Sequence, residues 1–159
     1  SLQFYYLGDP NAPFYTCLSA DIVHHEFGHA VLDGIRPLLH DSVTPQAGAF
    51  HEFVGDFTAI LMALQNRALR QRIATTSKGE FADATTLSSL AEGFGKAVSG
   101  RPYLRSAINR RKLGALANET SVHTLSEVLT GAMFDVLKRI GRRYLESEDD
   151  TTPIKAFWW

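Results

Sequence analysis

One cysteine, Cys17, stands among 159 residues, so no disulfide can form within the chain and its fold must rest on packing or on a bound metal. That lone cysteine leaves the compartment undecided, since a secreted enzyme stabilised by metal and core would look the same. An excess of one charge is also lacking. Sixteen Lys and Arg against seventeen Asp and Glu leave a formal net charge of -1, which removes any electrostatic basis for binding nucleic acid or an anionic membrane. No run of about 18 apolar residues occurs, so no membrane span is expected. Ser1 to Gly8 lack the charged-then-apolar pattern of a secretory signal. What remains is ordinary: 45% hydrophobic and 21% charged residues fit one globular domain with a core. The chain opens inside a strand-like segment and closes on Phe157-Trp158-Trp159, a costly group to leave in water. Residues 1–159 are therefore read as a single domain belonging to a longer protein.

Apolar periodicity organises the chain as mainly α, or α+β when a short N-terminal strand element is counted. Leu2 to Leu7 is aromatic-rich and bounded by Gly8-Asp9-Pro10, a strand followed by a turn. Asn11 to Leu18 reads as a loop. Ser19 is placed to cap a helix reaching about Asp33, with Asp21 in its first turn and Gly34 and Pro37 ending it. A second helix is expected over Ala47 to about Ile73, with Phe53, Phe57, Ile60, Leu61 and Leu64 as its apolar stripe. A weaker helix is expected over about Leu87 to Val98. A long one is expected from Thr124 to Tyr144, burying Leu125, Val128, Leu129, Ala132, Met133, Val136, Leu137 and Ile140.

The chemistry concentrates in His24-His25-Glu26-Phe27-Gly28-His29. Residues four apart share a helix face, so the imidazoles of His25 and His29 can reach one ion. Glu26 lies about 100° round from His25, beside the ion, where a carboxylate can take a proton from bound water. Two imidazoles, one carboxylate and an exchangeable water suit tetrahedral zinc. Glu52, at the start of the second helix, is the candidate third ligand. Asp56, one turn on, can accept the remaining ring N–H of a ligand histidine, which fixes its tautomer. Both carboxylates sit among apolar neighbours, where an unpaired charge would be expensive. His24 and His51 point away from these faces and are read as structural.

These residues resemble the thermolysin-like peptidases, the gluzincin class with two histidines and a distant glutamate. Asp21 to Asp33 is similar to that family's first active-site helix, and Glu52 with Asp56 to its glutamate-ligand helix. Tyr103-Leu104-Arg105-Ser106 resembles the stretch whose arginine holds a substrate carbonyl, and Ser121-Val122-His123 the one whose histidine stabilises the oxyanion. The resemblance spans about residues 3 to 140. It implies a zincin-like fold with an active-site helix pair and a long C-terminal helix. It also implies Zn2+ on His25, His29 and Glu52, catalysis by Glu26 and His123, substrate binding by Arg105, an apolar pocket near Ile22 and Leu104, and secretion. The sequence departs from the family at several points. Asn118, with Glu119 beside it, stands where the family has an aspartate, and only His40 falls near the place of its catalytic tyrosine. No carboxylate occurs in Ala59 to Arg72 for a calcium pair. Much of both family lobes is absent, which would leave a missing lobe to the rest of a longer chain.

The expected activity is zinc-dependent hydrolysis of a peptide or protein substrate. A zinc-binding scaffold or interaction domain without turnover is the alternative, with another zinc hydrolase third.

Overall fold

The computed structural model describes residues 2–39, 41, 44–69, 89–90 and 105–146, with the backbone alone at 89, 90, 105 and 141–146. Among the described residues the chain is mostly helical, with two small antiparallel pairs of strands.

The N-terminal segment forms a hairpin of β1 (Tyr6–Leu7) and β2 (Phe14–Tyr15), with Tyr6 opposite Tyr15. The strand is shorter than the aromatic run, and its partner falls in the segment read as a loop. Gly8 takes φ 90°, a conformation that suits a residue without Cβ. The Asp9 carboxylate accepts from Asn11 N at 2.8 Å, which closes the turn. The hydroxyl of Thr16, 3% exposed, is satisfied by the Tyr5 backbone: it accepts from Tyr5 N at 2.8 Å and donates to Tyr5 O at 2.9 Å.

Helix α1 (Ala20–Ile35) starts after Ser19, but the Ser19 hydroxyl donates to the Asp21 carboxylate instead of capping a backbone N–H. The helix runs through Gly34 and stops at Arg36, whose φ of -137° and ψ of 67° are non-helical. Pro37 disfavours the helical region for the residue before it. Proline, not glycine, ends α1.

Helix α2 (Pro45–Leu64) begins two residues before the expected start because Thr44 accepts from Ala47 N at 3.3 Å and Pro45 fits the first helical turn. It ends well short of Ile73. Asn66 accepts from Ala68 N at 2.9 Å and Leu69 N at 3.2 Å, and so caps a fresh helical turn at 67–69. Apolar spacing that continues through a cap cannot reveal the break.

Ser89–Leu90 forms β3, paired with β4 (Arg105–Ser106). The helix expected over Leu87 to Val98 is thus replaced by a strand at those two positions, and its other residues lie outside the described ones. At those two positions cross-strand pairing outweighs helix propensity.

Helix α3 (Val122–Glu146) begins after Ser121, whose hydroxyl accepts from Thr124 N at 3.3 Å. Its buried side differs from the expected stripe. Leu125, Ser126, Thr130 and Phe134 are buried, while Leu129, Val136 and Ile140 are each at least 40% exposed. The Ser126 hydroxyl donates to His123 O at 2.9 Å and that of Thr130 to Ser126 O at 3.1 Å. Polar side chains satisfied by their own helix can face inward, so hydrophobicity alone misplaced the face by part of a turn.

The core lies where α2 meets α3: Ala59, Ile60 and Leu64 against Phe134, with Ala107 beside them and Phe57 and Leu137 flanking. Among the described residues α2 is the one helix long and apolar enough to cross a membrane. It carries Glu52 and the buried Asp56 and packs between α1 and α3.

Phe134 is 1% exposed. Phe134→Ala should cost about 3–5 kcal/mol of folding free energy, read from chemical denaturation midpoints. A loss below about 1 kcal/mol would contradict this core.

Candidate metal centre

α1 and α2 cross at their glycines. A Cβ on Gly28 would lie 2.8 Å from Thr58 Oγ1 and 3.0 Å from the Gly55 Cα. A Cβ on Gly55 would lie 2.7 Å from His25 Cε1 and 2.8 Å from its Nδ1. Absence of both side chains lets the backbones come close and lets the His25 ring lie flat on α2. The contacts run in opposite senses along the helices: His25 to Asp56, His29 to Glu52, and Asp33 to His51. The pair is therefore antiparallel, as expected for a glutamate supplied by a neighbouring helix.

This crossing gathers His25, His29 and Glu52, one donor atom from each lying within 4.8 Å of the others. His25 Nε2 is 3.5 Å from Glu52 Oε2, and His29 Nε2 is 3.6 Å from Glu52 Oε1. Both are long for an N–H···O bond, whose usual length is about 2.9 Å. They are close to the roughly 3.3–3.4 Å that separates two ligands about 2.0–2.1 Å from one tetrahedral ion. By spacing and donor chemistry these residues fit zinc.

Asp56 lies against His25. It is 1% exposed, and its Oδ1 lies 3.0 Å from His25 Nδ1. The carboxylate accepts, so the proton sits on Nδ1 and the Nε2 lone pair faces the centre. His29 differs: its Nδ1 is buried with no hydrogen-bond partner among the described residues. Burial first, and then the neighbouring His25, lower its pKa from 6.5 to about 4; His51 adds to this, and Glu52 and Asp56 oppose it. A neutral imidazole is the form that binds metal.

Glu26 lies half-buried on α1 between the two histidines. His123, in the first turn of α3, places Nδ1 2.9 Å from Glu52 Oε2, with its side chain 56% exposed. The approach is set by Gly48, where a Cβ would lie 2.7 Å from Val122 Cγ1, so α3 starts tight against α2 one turn before Glu52. Glu119 accepts from Thr120 N and Ser121 N, both at 2.9 Å. It shapes the entry to α3, while the described contact of His123 is with Glu52. Arg105 lies on β4, its side chain outside the described residues; Leu104 and His40 lie outside them altogether. Ile22 is half-buried in the first turns of α1.

Sequence reasoning did not foresee two contacts. His123 reaches the Glu52 carboxylate, and His51 joins α2 to Asp33 on α1 at 2.8 Å while stacking on His29 at 4.4 Å. Asp33 is one turn beyond His29, on the face already assigned to the site, and that spacing was the available signal. No protein-family model, curated protein or solved structure matches the chain.

Because His29 titrates near 4 in the metal-free fold and near 6.5 when unfolded, the unfolded chain alone takes up that proton between those pH values. Stability should therefore fall as pH drops from about 6.5 to 4. In metal-free denaturation series, His29→Gln should show a shallower loss; an equal slope would refute this origin. Separately, Gly55→Ala should displace the His25 ring and weaken zinc binding at least about tenfold, as measured by chelator competition.

Proposed function

We propose that this chain is a zinc-dependent endopeptidase of the thermolysin-like class. One observation carries the reading: His25, His29 and Glu52 converge at the spacing of a shared ion, with Glu26 beside them on the same helix. The similarity of the Asp21–Asp33 and Glu52–Asp56 segments to that family's ligand helices supports the same reading, and with it a zincin-like fold.

Zinc, when bound, would supply Lewis acidity and lower the pKa of a coordinated water far below that of free water. The residues of the chain supply the rest. His25 and His29 present neutral Nε2 atoms, and Glu52 contributes the anionic ligand. Asp56 holds the tautomer of His25. Glu26 takes the proton of the attacking water and passes it to the leaving amine. His123, with Nδ1–H given to Glu52, carries a second N–H only as imidazolium, and in that form it can stabilise the oxyanion through Nε2. Arg105 would position the substrate backbone.

The contact between His123 and Glu52, at 2.9 Å, also favours a second reading. That N–H is committed to the Glu52 carboxylate rather than to a substrate, as in a site that holds its metal without turnover. The chain would then be a zinc-binding interaction domain.

Metal analysis and cleavage of an unstructured protein substrate, on wild type and Glu26→Gln, separate the two. The peptidase reading expects one equivalent of zinc in both proteins, with cleavage falling about 100- to 10,000-fold in Glu26→Gln. Stoichiometric zinc without Glu26-dependent cleavage would replace it with the binding-domain reading. Absence of zinc from the wild type would sink both.

A further inference from the structure

The two metal-facing histidines are held by different means. The His25 ring is fixed by the buried Asp56 carboxylate at 3.0 Å and by the Gly55 backbone beneath it. No such hydrogen bond serves His29 among the described residues, since its Nδ1 is buried and unpartnered there. Its orientation comes from rings. The His25 ring meets it edge-on at 4.4 Å and 84°, and the His51 ring covers it nearly face-on at 4.4 Å and 22°. His51 is in turn fixed by Asp33 Oδ1, 2.8 Å from Nε2. The carboxylate accepts, so Nε2 carries the proton, and this contact sets both tautomer and tilt of the ring.

We propose that His51 and Asp33 form a positioning pair for His29, acting through ring stacking where Asp56 acts on His25 through a hydrogen bond. The inference rests on the metal reading of the site. The contacts form a closed circuit. Asp33 lies one turn beyond His29 on α1, reaches across to His51 on α2, and His51 returns onto the His29 ring. With both ends of that circuit anchored in packed helices, the His29 ring loses the freedom to turn Nε2 away from Glu52. Burial suits this device: the His51 side chain is 12% exposed and that of Asp33 44%. Consecutive residues of α2 thus serve one centre from two sides, Glu52 in front of the donor atoms and His51 behind His29.

The test measures zinc affinity by chelator competition and the visible spectrum of the cobalt-substituted full chain, in wild type, His51→Ala, His51→Phe, Asp33→Ala and the Asp33→Ala/His51→Phe double variant. Loss of a residue that orients a metal-binding histidine typically costs about 10- to 100-fold in affinity. His51→Ala should lose that much and alter the cobalt bands. His51→Phe, which keeps a flat ring over His29, should stay within about threefold of wild type. Asp33→Ala should weaken binding in the wild-type background but not in the His51→Phe background, where no ring nitrogen needs it. Equal affinity and unchanged cobalt bands in His51→Ala would overturn the proposal. Should His51→Ala fail to fold, undiminished zinc affinity in Asp33→Ala overturns it equally. Failure of the wild type to bind zinc or cobalt is a distinct result: it removes the metal reading, and this inference with it.

Discussion

Two helices can bring imidazoles from one and a carboxylate from the other to a single point only if their backbones approach closely. In this chain that approach depends on missing Cβ atoms. Gly28 faces Thr58 and the backbone at Gly55, and Gly55 faces the His25 ring, each at distances where a methyl group would clash. Metal-binding geometry tolerates only a few tenths of an ångström, so a wider crossing would separate Nε2 of His25 and His29 from Glu52. The two glycines cost helix propensity, of order 1 kcal/mol each. The close packing of α1 on α2 offsets that cost.

The crossing also forces ionisable groups out of water, and each finds its own compensation. Asp56 is almost wholly buried and meets His25; an unpaired carboxylate there would be severely destabilising. Glu52 is approached by His25, His29 and His123. His29 is kept neutral by burial and by the cluster of imidazoles around it. A neutral histidine beside a glutamate suits a divalent cation, so the electrostatics of the fold agree with the proposed metal.

Helix α2 links the site to the core along its length. Its first half gives Glu52, Gly55 and Asp56 to α1, and its second half packs Ala59, Ile60 and Leu64 with Phe134 of α3. Placement of α3 therefore fixes His123 on Glu52 through the tight contact of Val122 with Gly48. A change deep in the α2–α3 core would be felt at Glu52, since the same helix carries both.

Much of this was legible in the amino-acid order because it is local. Four-residue spacing of His25 and His29, and of Glu52 and Asp56, places each pair on one helix face regardless of the rest of the fold. The strong apolar periodicities named all three described helices. The tertiary structure alone decided what depends on distant partners. The break after Leu64 depends on a side-chain cap at Asn66, and the buried side of α3 on hydroxyls bonded to their own helix. The strand at Ser89–Leu90 depends on a partner fifteen or more residues away. The site divides in the same way. Sequence by itself determined which residues can bind a metal, since ligand chemistry and helical spacing are properties of the chain. Only the folded crossing decided that Asp56 takes His25, that His51 and Asp33 close upon His29, and that His123 meets Glu52. Those pairings depend on helix separation and rotation, which glycine contacts and core packing set and local periodicity does not encode.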